Sequence, residues 1–288
     1  SGAVFDDLDL AGSCFRDCNV IFDDAIILGE FEASETRFRE SRLSLLGTWL
    51  VGRVGFEYSS FVDSDVTVYA DNPSGLDMNF QGVEVSGGKL DFLGSGGGDH
   101  FSFVEGRFKS GRIEVTTHAL DEGTLAFSRA TISGADVRVS CNTVKNSNLW
   151  NNGLSIESGS FSLQPQYYGT EMFNEGITVD GSEVTFENVL VKALGVLTIA
   201  GIKFSNGGKL VIEDLDLHGR LVIRDLDGPA ESILVENVLE GASGVVESSG
   251  CSESLQHAAL GLGQFSALRS PGPETHAPPV ASNPPIED

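Results

Sequence analysis

Basic residues are scarce in this chain: 18 lysines and arginines stand against 42 aspartates and glutamates, for a formal charge of −24. That balance excludes direct binding to nucleic acid and to an anionic membrane surface, both of which need a basic footprint. Methionine is almost missing, at 2 residues in 288, which argues against a helical bundle. The four cysteines, Cys14, Cys18, Cys141 and Cys251, stand at no metal-ligand spacing, and Cys14 with Cys18 alone cannot close a zinc site. We expect packing residues or free thiols. No apolar run reaches the roughly 18 residues needed to span a bilayer. Neither HExxH nor a nucleophile motif occurs, and the glycine run "GSGGGD" (94–99) lacks the Lys-Ser/Thr that a phosphate cradle requires. The chain is therefore expected to be no enzyme and to need no cofactor or metal.

Glycine and phenylalanine are abundant instead, at 35 and 18 residues, and 40% of the chain is hydrophobic. Frequent turns and ring packing in a real core follow. Phe127, Ile132 and Val137 stand five residues apart, a period that belongs to neither a helix nor a strand. Similar steps recur: Phe56, Phe61, Val66 and Val68; Phe103, Phe108, Ile113 and Val115; Val179, Val184, Val189 and Val191. Unit starts at Leu10, Ala33, Phe56, Phe80, Phe103, Phe127, Ile156, Val179 and Ile199 are separated by 23, 23, 24, 23, 24, 29, 23 and 20 residues.

One inward residue per five-residue step describes a chain that runs briefly, turns a corner and runs again. Four corners close a coil, and coils stack at the inter-strand spacing of about 4.8 Å. Like side chains then form ladders in a narrow core. Each buried one contributes roughly 1.5–3 kcal/mol, and a single coil cannot bury its own apolar face. The expected fold class is all-β: a right-handed parallel β-helix of about nine coils.

The steps Ala3-x-Phe5, Leu8-x-Leu10, Ala130-x-Ile132 and Ala135-x-Val137 resemble the pentapeptide-repeat family, with looser matches over residues 3–227. The resemblance implies a right-handed quadrilateral β-helix. Two departures leave a larger right-handed β-helix of the pectate-lyase type as the alternative: alanine is uncommon at the small position, and the coils carry extra residues at one corner. Residues 1–227 are expected to form the solenoid and 228–250 a C-terminal cap over its open edge. Residues 251–288 read as a weak helix and a proline-rich tail without core residues. The chain opens on Ser1-Gly2 and enters the repeat at once, so an upstream segment is expected, and cytoplasmic, secreted and surface locations all fit.

The extra residues, "LGSGGGDH" (93–100), "TTHALDEGT" (116–124), "SCNTVKNSNLWNNG" (140–153) and "QPQYYGTEMFNEG" (164–176), have loop composition and share one phase of the coil. Candidate binding residues fall in them. Asp99, His100, His118, Asp121 and Glu122 lie in successive corners and could meet as an acid–base or ligand-binding set, against the plainer reading of exposed loop polars. Trp150, Tyr167 and Tyr168 lie among Asn and Gln, a mixture that suits sugar rings or a protein hot spot.

Residues 1–227 hold 34 acidic and 17 basic residues. Over eight coil steps that is about one net charge per 2.3 Å, below duplex DNA at about one per 1.7 Å. The leading expectation is a non-enzymatic scaffold that binds a protein partner through its corner loops or acidic wall. Two alternatives stand beside it. One is a DNA mimic that inhibits an enzyme such as gyrase, as the resemblance allows; the other is a β-helix that binds a glycan or cleaves a polysaccharide.

Overall fold

The computed structural model describes residues 2–71, 77–94, 99–117, 120–121, 123–145, 148–168, 171–172, 176–191, 196–238 and 245–251. Its strands pair in parallel from turn to turn, so that a residue meets its counterpart 22 to 26 positions later. One column runs through nine rungs: Cys14, Arg37, Ser60, Glu84, Arg107, Thr131, Ser155, Thr178 and Lys203. The protein is a β-solenoid, almost without helix. Among the described residues the one helical stretch is the short turn Ala230–Ser232.

Each turn has four walls. The first is built by short strands such as Phe31–Glu32, Arg53–Gly55, Asp77–Asn79, His100–Ser102, Thr124–Ala126 and Asn148–Trp150. Val196–Ala200, Arg220–Arg224 and Val245–Ser249 carry the same face onward. Long bent strands, including Ser60–Asp71, Glu84–Gly94 and Arg107–Thr117, make the second and third walls. The fourth begins with Val4–Phe5 against Ile26–Ile27, which pairs in turn with Trp49 and Leu50.

The corner between the first two walls needs a left-handed residue in every turn. Gly12, Glu35, Tyr58, Gly82, Glu105, Arg129, Gly153, Gly176, Gly201, Asp225 and Gly250 all take φ between 54° and 72°. Glycine does so freely, whereas a side chain there costs roughly 1–2 kcal/mol. Inside the coil, phenylalanines stack along the axis: Phe56, Phe80, Phe103 and Phe127 keep centroid separations of 4.7–5.0 Å with rings within 11° of parallel. All four are fully buried.

Two expectations are refined. Ile156 and Val179 are not unit starts: they pair with Ile132 and with each other, one step further round the coil. The residue that follows Phe127 in its column is Asn151, buried and polar, and this substitution produced the uneven intervals of 29 and 20. The described parts of the polar stretches with loop composition are largely wall. Residues 140–145 and 148–150 lie in Thr131–Lys145 and Asn148–Trp150, and 164–168 in Ser155–Tyr168. Asn, Ser, Gln and Gly dominate these stretches, so a strand there reads as loop by composition.

Residues 228–238 and 245–250 extend the ladder further. Ile233–Val238 pairs with Lys209–Leu217, and Val245–Ser249 with Arg220–Arg224. The helix and tail expected over 251–288 lie outside the described residues, except for Cys251. Cys14, Cys18 and Cys251 are free thiols; Cys14 is exposed and Cys141 buried.

Candidate interaction surfaces

Alternation along each short strand sends one residue to the core and its neighbours outward. On the first wall, Met78, Phe101 and Leu125 point inward and are buried. The outward column Asn79, Ser102, Ala126 is small, and the column Asp77, His100, Thr124 stands beside it. The result is a shallow depression of about 350 Å³ bordered by Asp77, His100, Ser102 and Thr124 over Phe101. One turn earlier, Glu57 accepts hydrogen bonds from Ser34 Oγ at 2.9 Å, from Asn79 Nδ2 at 2.8 Å and from Arg53.

The described members of the two expected site sets are spread over different walls. His100 is exposed on the first wall. Trp150 occupies a rung of that wall too, following Ser102 and Ala126 in the same column. Asp99, adjacent in sequence to His100, is fully buried and accepts a hydrogen bond from Thr117 Oγ1 at 2.6 Å. It packs so closely under the third wall that a Cβ at Gly94 would lie 2.3 Å from its carboxylate. Asp121 and Tyr168 belong to another wall, where each pairs with Lys145, and Tyr167 pairs with Val144 and Val191. His118 and Glu122 lie outside the described residues.

A surface that composition did not single out occupies the start of the fourth wall. Phe5, Ile27 and Leu50 turn inward, which forces their neighbours out. Val4, Ile26 and Trp49 form one outward column; Leu28 and Val51 extend a second, with Asp6 at its head. Val4 is 61% exposed, Leu28 50%, Trp49 44% and Val51 51%. A signal was present in the runs Ile26-Ile27-Leu28 and Trp49-Leu50-Val51. Three apolar residues in succession on a strand with one buried face expose at least one of them, and two where the middle one turns inward.

The third wall changes its electrostatics along its length. In the earlier turns opposite charges interleave. Lys89 Nζ lies 2.6 Å from Asp91 and 3.9 Å from Glu114, and Arg112 lies 2.9 Å from Glu114. Tyr69 donates to Asp91 at 2.8 Å, and this bond, with burial and the charges of Asp91 and Glu114, raises the tyrosine pKa. Later, Glu187, Glu213 and Glu236 stack on consecutive rungs. Burial raises the pKa of Glu213, assisted by repulsion from Glu236, Glu187, Asp214 and Glu183.

Among the described residues no group of three or more His, Cys, Asp or Glu side chains converges to hold a metal ion. Among them also, no helix is long and apolar enough to cross a membrane. No protein-family model and no curated protein sequence matches the chain.

Proposed function

We propose that this protein is a non-enzymatic, pentapeptide-repeat-like scaffold that docks a protein partner on the apolar face at the start of its fourth wall. The carrying observation is the concentration of exposed apolar surface there. Of seven large hydrophobic side chains with high exposure among the described residues, four are Val4, Leu28, Trp49 and Val51. Scattered apolar residues are ordinary on a surface, but contiguous ones mark contact sites. Kinship with pentapeptide repeats draws support from buried inward residues at five-residue steps, such as Phe103, Phe108 and Ile113. The 23- to 25-residue turn departs from a strict twenty. Capture from source-cell lysate by the native chain, compared with a Leu28→Ser/Val51→Thr variant, tests the reading. A partner retained by the native chain alone is the expected result; equal capture or none overturns it.

A second reading is favoured by the first-wall depression. Asp77, His100, Ser102 and Thr124 offer polar groups in columns repeating about every 4.8 Å, close to the rise of an extended glycan, and Trp150 lies two rungs on from Ser102 in its column. Binding on a glycan panel that is lost in His100→Ala and Trp150→Ala would select it.

A further inference from the structure

We infer that the apolar face receives a cationic, amphipathic extended segment of another protein; this rests on the docking reading above and adds the partner's chemistry. Two outward columns define the face, Val4–Ile26–Trp49 and Leu28–Val51. Rungs within a column are about 4.8 Å apart and the columns about 7 Å, the separation between alternate side chains of an extended chain. A segment with apolar residues at every second position can therefore seat them across both columns.

The borders decide the charge. Asp6 and Asp7 lie at one margin, Asp24 at the corner that opens the wall, and Glu30 just past Leu28. All four are exposed, and none has an ion-pair partner among the described residues. Arg53, the base that follows Val51 most closely in the chain, is engaged by Glu57. An apolar face with an unneutralised acidic rim attracts lysine or arginine flanking an apolar stripe, and steers its approach. A second copy would set the same acids against themselves. An anionic lipid surface would meet a chain of net charge −24 and be repelled.

The test titrates the full chain with the peptide acetyl-Lys-Leu-Lys-Val-Lys-Leu-Lys-Val-amide. Its controls are the Glu-for-Lys counterpart and a scramble of the same composition without alternation. Binding is followed by tryptophan emission and by calorimetry. The lysine peptide is expected to bind, to weaken in high salt, and to lose roughly tenfold in affinity against Leu28→Ser/Val51→Thr. Thermal melting verifies that this variant is folded, and Asp6→Asn/Asp24→Asn, which leaves the apolar face intact, provides a second route to the same loss.

Equal affinity for the native chain and the Leu28/Val51 variant would reduce the effect to bulk charge and overturn the inference. So would equal binding of the glutamate peptide, or self-association in sedimentation that Leu28→Ser/Val51→Thr abolishes, which would make the occupant a second copy. If the lysate partner responds to these variants while the lysine peptide ignores them, the docking surface stands and its proposed chemistry falls. If neither responds, both fall.

Discussion

The turns up to residue 127 and those after it share one backbone path but fill it differently. In the first, stacked phenylalanines line the core: Phe15, Phe38 and Phe61 in one column, and Phe56, Phe80, Phe103 and Phe127 in another. In the second, the inward residues are mostly aliphatic, among them Leu197, Ile199, Leu210, Ile212, Leu221 and Ile223. A buried side column shows the same change. Thr36 and Ser59 satisfy backbone groups with their hydroxyls, Ser59 Oγ donating to Ala33 O at 2.6 Å and accepting from Thr36 N at 3.0 Å. Two-thirds of the way along, the same column holds Leu154, Ile177 and Ile202. The backbone ladder thus decides which positions face inward. It leaves the packing chemistry to vary from turn to turn.

The largest effect should separate those two fillings. Phe103 lies between two parallel rings, so Phe103→Ala removes both stacks and leaves a ring-sized cavity. We expect a loss of about 3–5 kcal/mol in urea unfolding, including roughly 0.5–1.5 for each stacked pair beyond simple burial. Ile199→Ala, equally buried in the aliphatic part, should cost less. Equal losses would mean that the rings contribute area alone.

A smaller effect tests the corner between the second and third walls. Early turns carry side chains there in left-handed conformation, at Asp17, Glu40 and Asp63; later turns have glycine, including Gly159 at φ 96°. A Cβ at Gly159 would lie 2.2 Å from the carbonyl oxygen of Ala135. Gly159→Ala should therefore destabilise by roughly 1–3 kcal/mol, read as a drop in Tm. An unchanged Tm would show that the later corner can open as the earlier ones do.

How far the fold could be read in advance follows the same division. Where phenylalanine marks the column, the register of every turn through Phe127 was visible in the sequence. It slipped at Asn151, where a buried polar residue occupies the rung and the nearest aliphatic, Ile156, belongs to the next column. The candidate site was less legible because chain proximity does not survive the corner. Asp99 and His100 are neighbours, yet one is buried beneath the third wall and the other is exposed on the first. Apolar runs at 26–28 and 49–51 were visible, but only a defined inward residue in each reveals that the flanking two face water.

The first corner offers a gain instead of a loss. Glu35 is exposed and holds φ 56°, where Gly12 holds the same phase of the preceding turn and Gly82 that of the turn after next. Glu35→Gly should stabilise by about 0.5–1 kcal/mol, since relief of left-handed strain exceeds the added entropy of the unfolded chain. A decrease in Tm would assign Glu35 a favourable contact that outweighs its backbone cost.

The smallest effect lies on the third wall, where the interleaved charges of the early turns give way to stacked glutamates. Folding raises the pKa of Glu213 above its ordinary 4.5, chiefly through burial and the neighbouring Glu236 and Glu187. Between the ordinary and the raised value the folded state holds more protons than the unfolded one, so this group's contribution to stability falls as pH rises through that interval. At neutral pH the carboxylate is a liability that Glu213→Gln removes. The variant should therefore melt higher than the native chain near pH 7, and its advantage should vanish as pH falls below 4.5 and the native carboxyl takes up its proton. Glu114→Gln makes the matching change where Arg112 and Lys89 flank the carboxylate; there the neutral-pH gain should be absent or reversed, because an attraction is lost along with the charge. A gain of equal size at both positions would mean that net charge alone sets the stability of this wall, and that the pairing of the early turns contributes nothing to it.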